Sequence, residues 1–152
     1  MPESDSRLSD FMPYRMAITS NAVSSLISGE YRSEFGLKIP EWRVMAVLGD
    51  AGSLTQRDLV RATVMDKVAV NRACKVLEER DLIQRSPNEM DGRSHHLELT
   101  NAGLELHGKI WPQAVSIYEK IFTAISPREQ AKLRLILDKL LKAARELEGD
   151  EK

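Results

Sequence analysis

A chain of 152 residues with 42% hydrophobic and 30% charged residues can bury one ordinary core, and its 5% aromatic content points to a helical protein packed with Leu, Ile, Val and Ala. No run approaches the roughly 20 apolar residues of a membrane span, and the polar start Met1-Pro2-Glu3-Ser4-Asp5 is no secretory leader. The single cysteine, Cys74, excludes an internal disulfide and fits a reducing cytoplasm; the formal net charge of −1 excludes a uniformly basic surface, so any polyanion would have to be met by charge gathered on one face.

From about Leu8 to Phe35, the residues Phe11, Ile18, Ala22, Leu26 and Ile27 recur at helical spacing and predict one long helix, with Pro13 near its start and Gly36 as its stop. Pro40, in a first turn, opens a second helix from Glu41 to Gly49, closed by the turn Asp50-Ala51-Gly52. Thr55-Gln56-Arg57-Asp58 has the form of a capping box, with Asp in place of Glu, and starts a short helix to about Ala62. Asp66 caps the next helix, whose apolar face is Val70, Ala73, Cys74 and Leu77. Another face carries Lys67, Asn71 and Lys75 at i, i+4 and i+8, with Arg72 beside them. Leu82-Ile83-Gln84-Arg85 and His96-Leu97-Glu98-Leu99 read as a two-stranded hairpin across the turn Pro87 to Gly92. Thr100 caps a helix from Asn101 to about Ala124, bent at Pro112, and Ser126-Pro127-Arg128-Glu129 starts a last one.

Two short helices joined by a tight turn and followed by a hairpin make a winged helix-turn-helix. The expected fold is therefore mainly α with a small β-hairpin wing: a single domain over 1–152, with a lobe at about 40–100 flanked by long helices at about 8–36 and 101–147. The last helix carries Leu133, Ile136, Leu137, Leu140, Leu141, Ala144 and Leu147. At about 25 cal/mol per Å², leaving that stripe in water costs many kcal/mol. Pairing the end helices of two chains would bury it in a homodimer; an intramolecular bundle is the alternative. Charge is also uneven. Arg57, Arg61, Lys67, Arg72 and Lys75 stand against Asp58 and Asp66, and the acids Glu78, Glu79, Asp81, Glu89 and Asp91 come later.

Four pieces occur in order: Met65-Asp66-Lys67-Val68-Ala69-Val70-Asn71-Arg72, Leu77-Glu78-Glu79-Arg80-Asp81-Leu82-Ile83, Asp91-Gly92-Arg93 and Leu97-Glu98-Leu99-Thr100-Asn101-Ala102-Gly103. Together they resemble the MarR family of bacterial regulators over roughly residues 40–105, and the end helices resemble its dimerisation layout. Asp81 stands where that family more often has glycine, and Asp tolerates the left-handed region better than most residues. The stretch from Phe35 to Leu48 is similar to the branch that regulates aromatic-acid catabolism. The resemblance implies a homodimeric repressor on a pseudo-palindromic operator in double-stranded DNA, released by a small ligand.

A helix entering the major groove presents its N-terminal side chains to base edges. Asn71 can pair bidentately with adenine; Arg72 can pair with guanine or hold a phosphate. Val68 and Ala69 suit thymine methyls, and Arg57, Lys67 and Lys75 suit phosphates. Arg93 at the wing is placed for the minor groove, with Asp91 to orient it. A solvated helix face is the alternative for each cation, Lys75 above all. The family's ligand cleft would be walled by Tyr14, Arg15, Ser20, Asn21, Trp42, Arg43, His107 and Trp111. An arginine for a carboxylate and an indole for stacking suit an aromatic acid or its coenzyme A thioester. Ordinary core or interface packing is the alternative for both indoles. No catalytic constellation, cofactor motif or metal set stands out: Cys74 lies on an apolar face, adjacent His95 and His96 point to opposite faces of a strand, and His107 and Glu105 do not face each other. The other reading is a winged-helix protein-interaction module without DNA binding, which the near-neutral charge favours.

Overall fold

The computed structural model describes residues 7–88 and 91–150, and of residues 87, 88, 91–94 and 150 the backbone alone. A single 3-10 turn, Leu8–Asp10, precedes α1 (Met12–Phe35), α2 (Ile39–Ala51), β1 (Ser53–Thr55), α3 (Gln56–Thr63), α4 (Lys67–Glu79), β2 (Ile83–Asn88), β3 (Asp91–Leu99), α5 (Asn101–Phe122) and α6 (Pro127–Asp150). The chain forms two compact units, one through Val115 and one from Ser116.

Helix ends follow local chemistry. Gly36, at φ 65°, ends α1, and the guanidinium of Arg80 donates to the Phe35 and Gly36 carbonyls at 3.0 and 3.4 Å. The second helix begins two residues before the expected Glu41, because the Glu41 carboxylate reaches back to accept from the Lys38 amide at 2.9 Å. Asp50 and Ala51 belong to that helix rather than to a turn, and Gly52, at φ 86°, stops it. The Thr55 hydroxyl accepts from the Asp58 amide at 3.1 Å, and the Asp66 carboxylate from the Ala69 amide at 2.8 Å.

The sheet has three antiparallel strands in the order β1-β3-β2, not the two expected. The added strand seats Leu54 opposite Leu97, and three residues are too few for alternation to declare a strand. Both hairpin strands also run further toward the turn than expected. Pairing continues past Ser86 opposite His96 to Asn88 opposite Asp91, with a register irregularity after Pro87. The added residues are polar or proline, so hydrophobic alternation cannot register them. Of the expected turn, Glu89 and Met90 lie outside the described residues.

In the first unit, Val44, Met45 and Leu48 of α2 pack with Leu59 of α3, Val70, Cys74 and Leu77 of α4, Ile83 and Leu97 of the sheet, and Ile110 of α5. One backbone knot fixes how these elements meet. Asp81 adopts φ 59°, so that the Leu82 amide returns to the Leu77 carbonyl at 2.9 Å and closes α4. The Leu82 carbonyl then accepts from the Thr100 amide at 3.0 Å. The Thr100 hydroxyl donates to the Asp81 carbonyl at 2.7 Å and accepts from the Gly103 amide at 3.0 Å, capping α5. A Cβ on Gly103 would sit 2.0 Å from the Leu82 carbonyl oxygen, so only glycine fits.

Pro112 lies inside α5 and removes one helical hydrogen bond there. In the second unit, Ser126 and Glu129 cap α6 reciprocally, at 3.1 and 3.0 Å, and Gln130 donates to the carbonyls of Phe122 and Ile125. Leu133, Ile136, Leu137, Leu140, Leu141 and Leu147 are exposed on α6; so are Phe11 beside α1 and Ile18 and Leu26 on it.

Val64, in the turn between α3 and α4, takes φ 56° although it is β-branched, and it is 82% exposed. The left-handed region costs an L-residue about 1–2 kcal/mol, and part of the gain from glycine is lost to unfolded-chain entropy. Val64→Gly is expected to raise stability by roughly 0.5–1 kcal/mol, read as a higher urea midpoint with unchanged slope. Gly103→Ala is expected to lower it by about 2 kcal/mol or more, because the clash is with backbone.

Candidate nucleic-acid interface and aromatic cavity

The helix α4 has two unlike sides. Val70, Ala73, Cys74 and Leu77 are buried, whereas Lys67, Val68, Asn71, Arg72 and Lys75 are exposed and Ala69 is half-buried. Arg57 is exposed in the first turn of α3. Among the described residues, no hydrogen bond or ion pair engages the side chains of Arg57, Lys67, Asn71, Arg72 or Lys75. Asp58 follows Arg57 and Asp66 caps the start of α4 beside Lys67, whereas the glutamates of α4 lie at its far end. Glu78, near the far end of α4, pairs with Arg85 of β2, which also donates to the Gln56 side chain at 3.2 Å. The end of α4 that the helix dipole makes positive is therefore also the end that carries free cations. Asp91 and Arg93 stand in the first residues of β3, and their side chains lie outside those described. Arg80 and Arg85, not singled out by the sequence reading, serve the frame: one closes α1 and the other ties α3, α4 and β2.

The cavity residues divide differently. Four rings form a row through the first unit: Tyr31 to Trp42 at 5.6 Å between centroids, Trp42 to His107 at 5.5 Å, and His107 to Trp111 at 6.0 Å and nearly parallel. The row crosses α1, α2 and α5 in turn. Beside its first two rings lies a cavity of about 180 Å³ lined by Ser24, Ile27, Tyr31, Ile39, Trp42, Arg43 and Ala46. Trp42 and Arg43 are thus brought together there, with His107 and Trp111 continuing the ring row; Trp42 is buried and Trp111 half-exposed.

The four α1 residues expected at the site, Tyr14, Arg15, Ser20 and Asn21, are exposed and do not line this cavity. At about 1.5 Å per residue they stand roughly 5–15 Å before Ser24 along the helix. The Arg15 guanidinium donates instead to the Ser9 carbonyl at 3.0 Å. The wall that α1 supplies is Ser24, Ile27 and Tyr31, whose i, i+3, i+7 spacing is the one signal that could have found them.

Burial pushes the Tyr31 phenol up, an effect that Arg43 and then Arg32 oppose through their charge. Burial likewise pushes the Cys74 thiol up to about 11, so it is held as an unreactive core group. The His107 imidazole rests on Gly49 of α2, where a Cβ would come within 2.4 Å of its Nε2. No group of three or more His, Cys, Asp or Glu side chains converges to hold a metal among the described residues, and no helix among them is long and apolar enough to cross a membrane.

A family model described as MarR family matches residues 35–94. The chain is 29% identical over 97 residues to the HTH-type transcriptional repressor NicR of Pseudomonas putida; the match spans 64% of this chain and 61% of NicR. A probable transcriptional regulator from Pseudomonas aeruginosa has a similar structure, with a TM-score of 0.73 and 28% identity over 88% of this chain and 99% of that one. The fold is also that of BpsR from Bordetella bronchiseptica, whose DNA binding is regulated by 6-hydroxynicotinic acid; the TM-score is 0.79, with 22% identity over 90% and 97% of the two chains.

Desolvation holds the His107 pKa below its ordinary 6.5, so the folded protein takes up its proton later than the unfolded chain does as pH falls. The stability that neutral His107 contributes is full above pH 6.5 and is lost as pH falls from there through the lowered folded value. Urea midpoints between pH 7.5 and 5 should fall less steeply in His107→Gln than in the wild type. Parallel profiles would show that the imidazole titrates as freely folded as unfolded.

Proposed function

We propose that the chain is a transcriptional regulator of the MarR family, a homodimeric, sequence-specific DNA-binding repressor of the cytoplasm, released from its operator by a small aromatic acid. The observation that carries the DNA reading is the outward side of α4. It keeps Val68, Asn71, Arg72 and Lys75 exposed and, for the polar three, free of protein partners among the described residues, on a helix whose other side is fully buried. Asn71 reads adenine, Val68 meets a thymine methyl, and Arg57, Lys67 and Lys75 hold phosphates, while Ala69 is half-buried on the flank toward α2. Arg93, with Asp91, takes the minor groove beside the wing.

The exposed apolar side chains of α1 and of α6 support a second copy of the chain as their cover. A two-fold dimer would set its two recognition helices about 34 Å apart, one turn of duplex, on a pseudo-palindromic site.

The ligand reading draws on the ring row and on Arg43. A cavity of about 180 Å³ has room for one aromatic ring rather than for a whole coenzyme A thioester, with Trp42 to pack on it and Arg43 to meet a carboxylate. The acid that regulates BpsR belongs to this chemical class. Binding there can release DNA only by favouring a different spacing of the two recognition helices.

The experiment is a fluorescence titration of the protein against a duplex selected by it from a random-sequence library, with unselected duplex as control. Asn71→Ala and Arg93→Ala are each expected to weaken the selected duplex by about 1–3 kcal/mol, roughly 5- to 150-fold, while light scattering still reports a dimer. Binding that is equal on both duplexes and indifferent to salt would move the assignment to the protein-interaction module, for which the near-neutral net charge is the best support.

A further inference from the structure

The start of α2 stands against one flank of α4. Lys38 and Pro40 face Ala69, Arg72 and Val76 across a cleft of about 250 Å³. Its floor is apolar, and Lys38 and Arg72 are exposed at its edge. Neither cation pairs with a carboxylate among the described residues. The one acid lining the cleft, Glu41, is buried and bonded to the backbone amide of Lys38. Two cations from different elements thus border one cleft beside the exposed ridge of α4.

The width of a DNA groove decides what that border meets. A helix with its side chains is about 10–12 Å across and fills a major groove about 12 Å wide, so its outward ridge touches base edges and its flanks stand against the phosphate ribbons. At about 100° per residue, Arg72 is turned from Val68 and Lys75 toward Ala69 and Val76, which is the α2 flank. The opposite flank is occupied by the Glu78–Arg85–Gln56 tie to α3 and β2.

We propose that Lys38 and Arg72 together grip one phosphate ribbon of the DNA, leaving base readout to Val68 and Asn71. This rests on α4 being the DNA-reading helix. It gives the start of α2 a share of the interface and makes Arg72 a residue of affinity rather than of sequence choice.

The test measures binding constants against salt, by fluorescence anisotropy, on a library-selected duplex and on a random-sequence duplex. Lys38→Gln should make the slope of log K against log salt shallower by about 0.9 on both duplexes, and Lys38→Gln with Arg72→Gln by about 1.8. The ratio of affinities for the two duplexes should stay within about twofold of the wild type. Lys109→Gln, on an exposed α5 residue beside Glu105, should leave the slope unchanged. An unchanged slope in Lys38→Gln overturns the grip, and a collapsed affinity ratio in Arg72→Gln assigns that residue to a base. A wild-type protein with no salt-dependent binding to either duplex would remove the DNA reading itself, and this assignment with it.

Discussion

The carbonyl of Leu82 is the point on which the arrangement of the first unit turns. It lies between the end of α4 and the start of β2, it accepts the amide that ends the hairpin, and it occupies the space where any side chain on Gly103 would have to be. Three elements therefore share one atom: α4, whose exit requires Asp81 in the left-handed region; the sheet, which cannot splay at its base; and α5, whose first turn is pressed against both. Because the contacts are backbone to backbone, they leave little room for side-chain adjustment. This knot holds α4 in a fixed attitude to the sheet, and only then can surface residues on the two form one constellation.

With the helix held, electrostatics can be arranged on it. The chain as a whole carries a net charge of −1, which does not attract a polyanion. The arrangement on and around α4 resolves the difficulty. Its N-terminal half keeps Lys67, Asn71 and Arg72 without protein partners among the described residues, whereas Glu78 near its far end is neutralised by Arg85. Interactions between exposed charges fade over about 8–10 Å at ordinary ionic strength. A phosphate at the first turns of α4 would therefore respond to Lys67, Arg72 and the capping Asp66 far more than to acids elsewhere on the chain. Local segregation, not total charge, decides what the surface attracts.

The fold was legible wherever a local rule acts alone. Thr55, Asp66 and Ser126 announce helix starts because capping is a matter of three or four residues, and motif pieces carry the family resemblance where they correspond to a local geometry such as the Asp81 exit or the Thr100–Gly103 cap. What was not legible depends on partners distant in sequence. The strand Ser53–Thr55 exists only because β3 is there to pair with it. Arg80 reads as one charge among many, yet it closes a helix that ended 45 residues earlier in the chain. The cavity shows both limits at once. Trp42 and Arg43 stand out by residue type and line it, whereas Ser24 and Ile27 are plain residues that matter only for the face of α1 they share with Tyr31.

The two surfaces that matter most meet on a single helical turn. Ile39, Trp42 and Arg43 line the aromatic cavity, while Lys38, Pro40 and Glu41 line the cleft against α4. These six residues are consecutive and divide three and three between the two sides of the start of α2, and the Glu41 carboxylate ties that start together through the Lys38 amide. A molecule occupying the cavity touches the same turn that a phosphate in the cleft would touch. Linkage then requires that any shift of this turn which favours one occupant and disfavours the other lower both affinities by the same factor. No long path through the protein is needed for such coupling. Its size is set by how far the first turn of α2 can move while α4 stays fixed by Leu82, and the burial of Trp42 and Leu37 limits that movement.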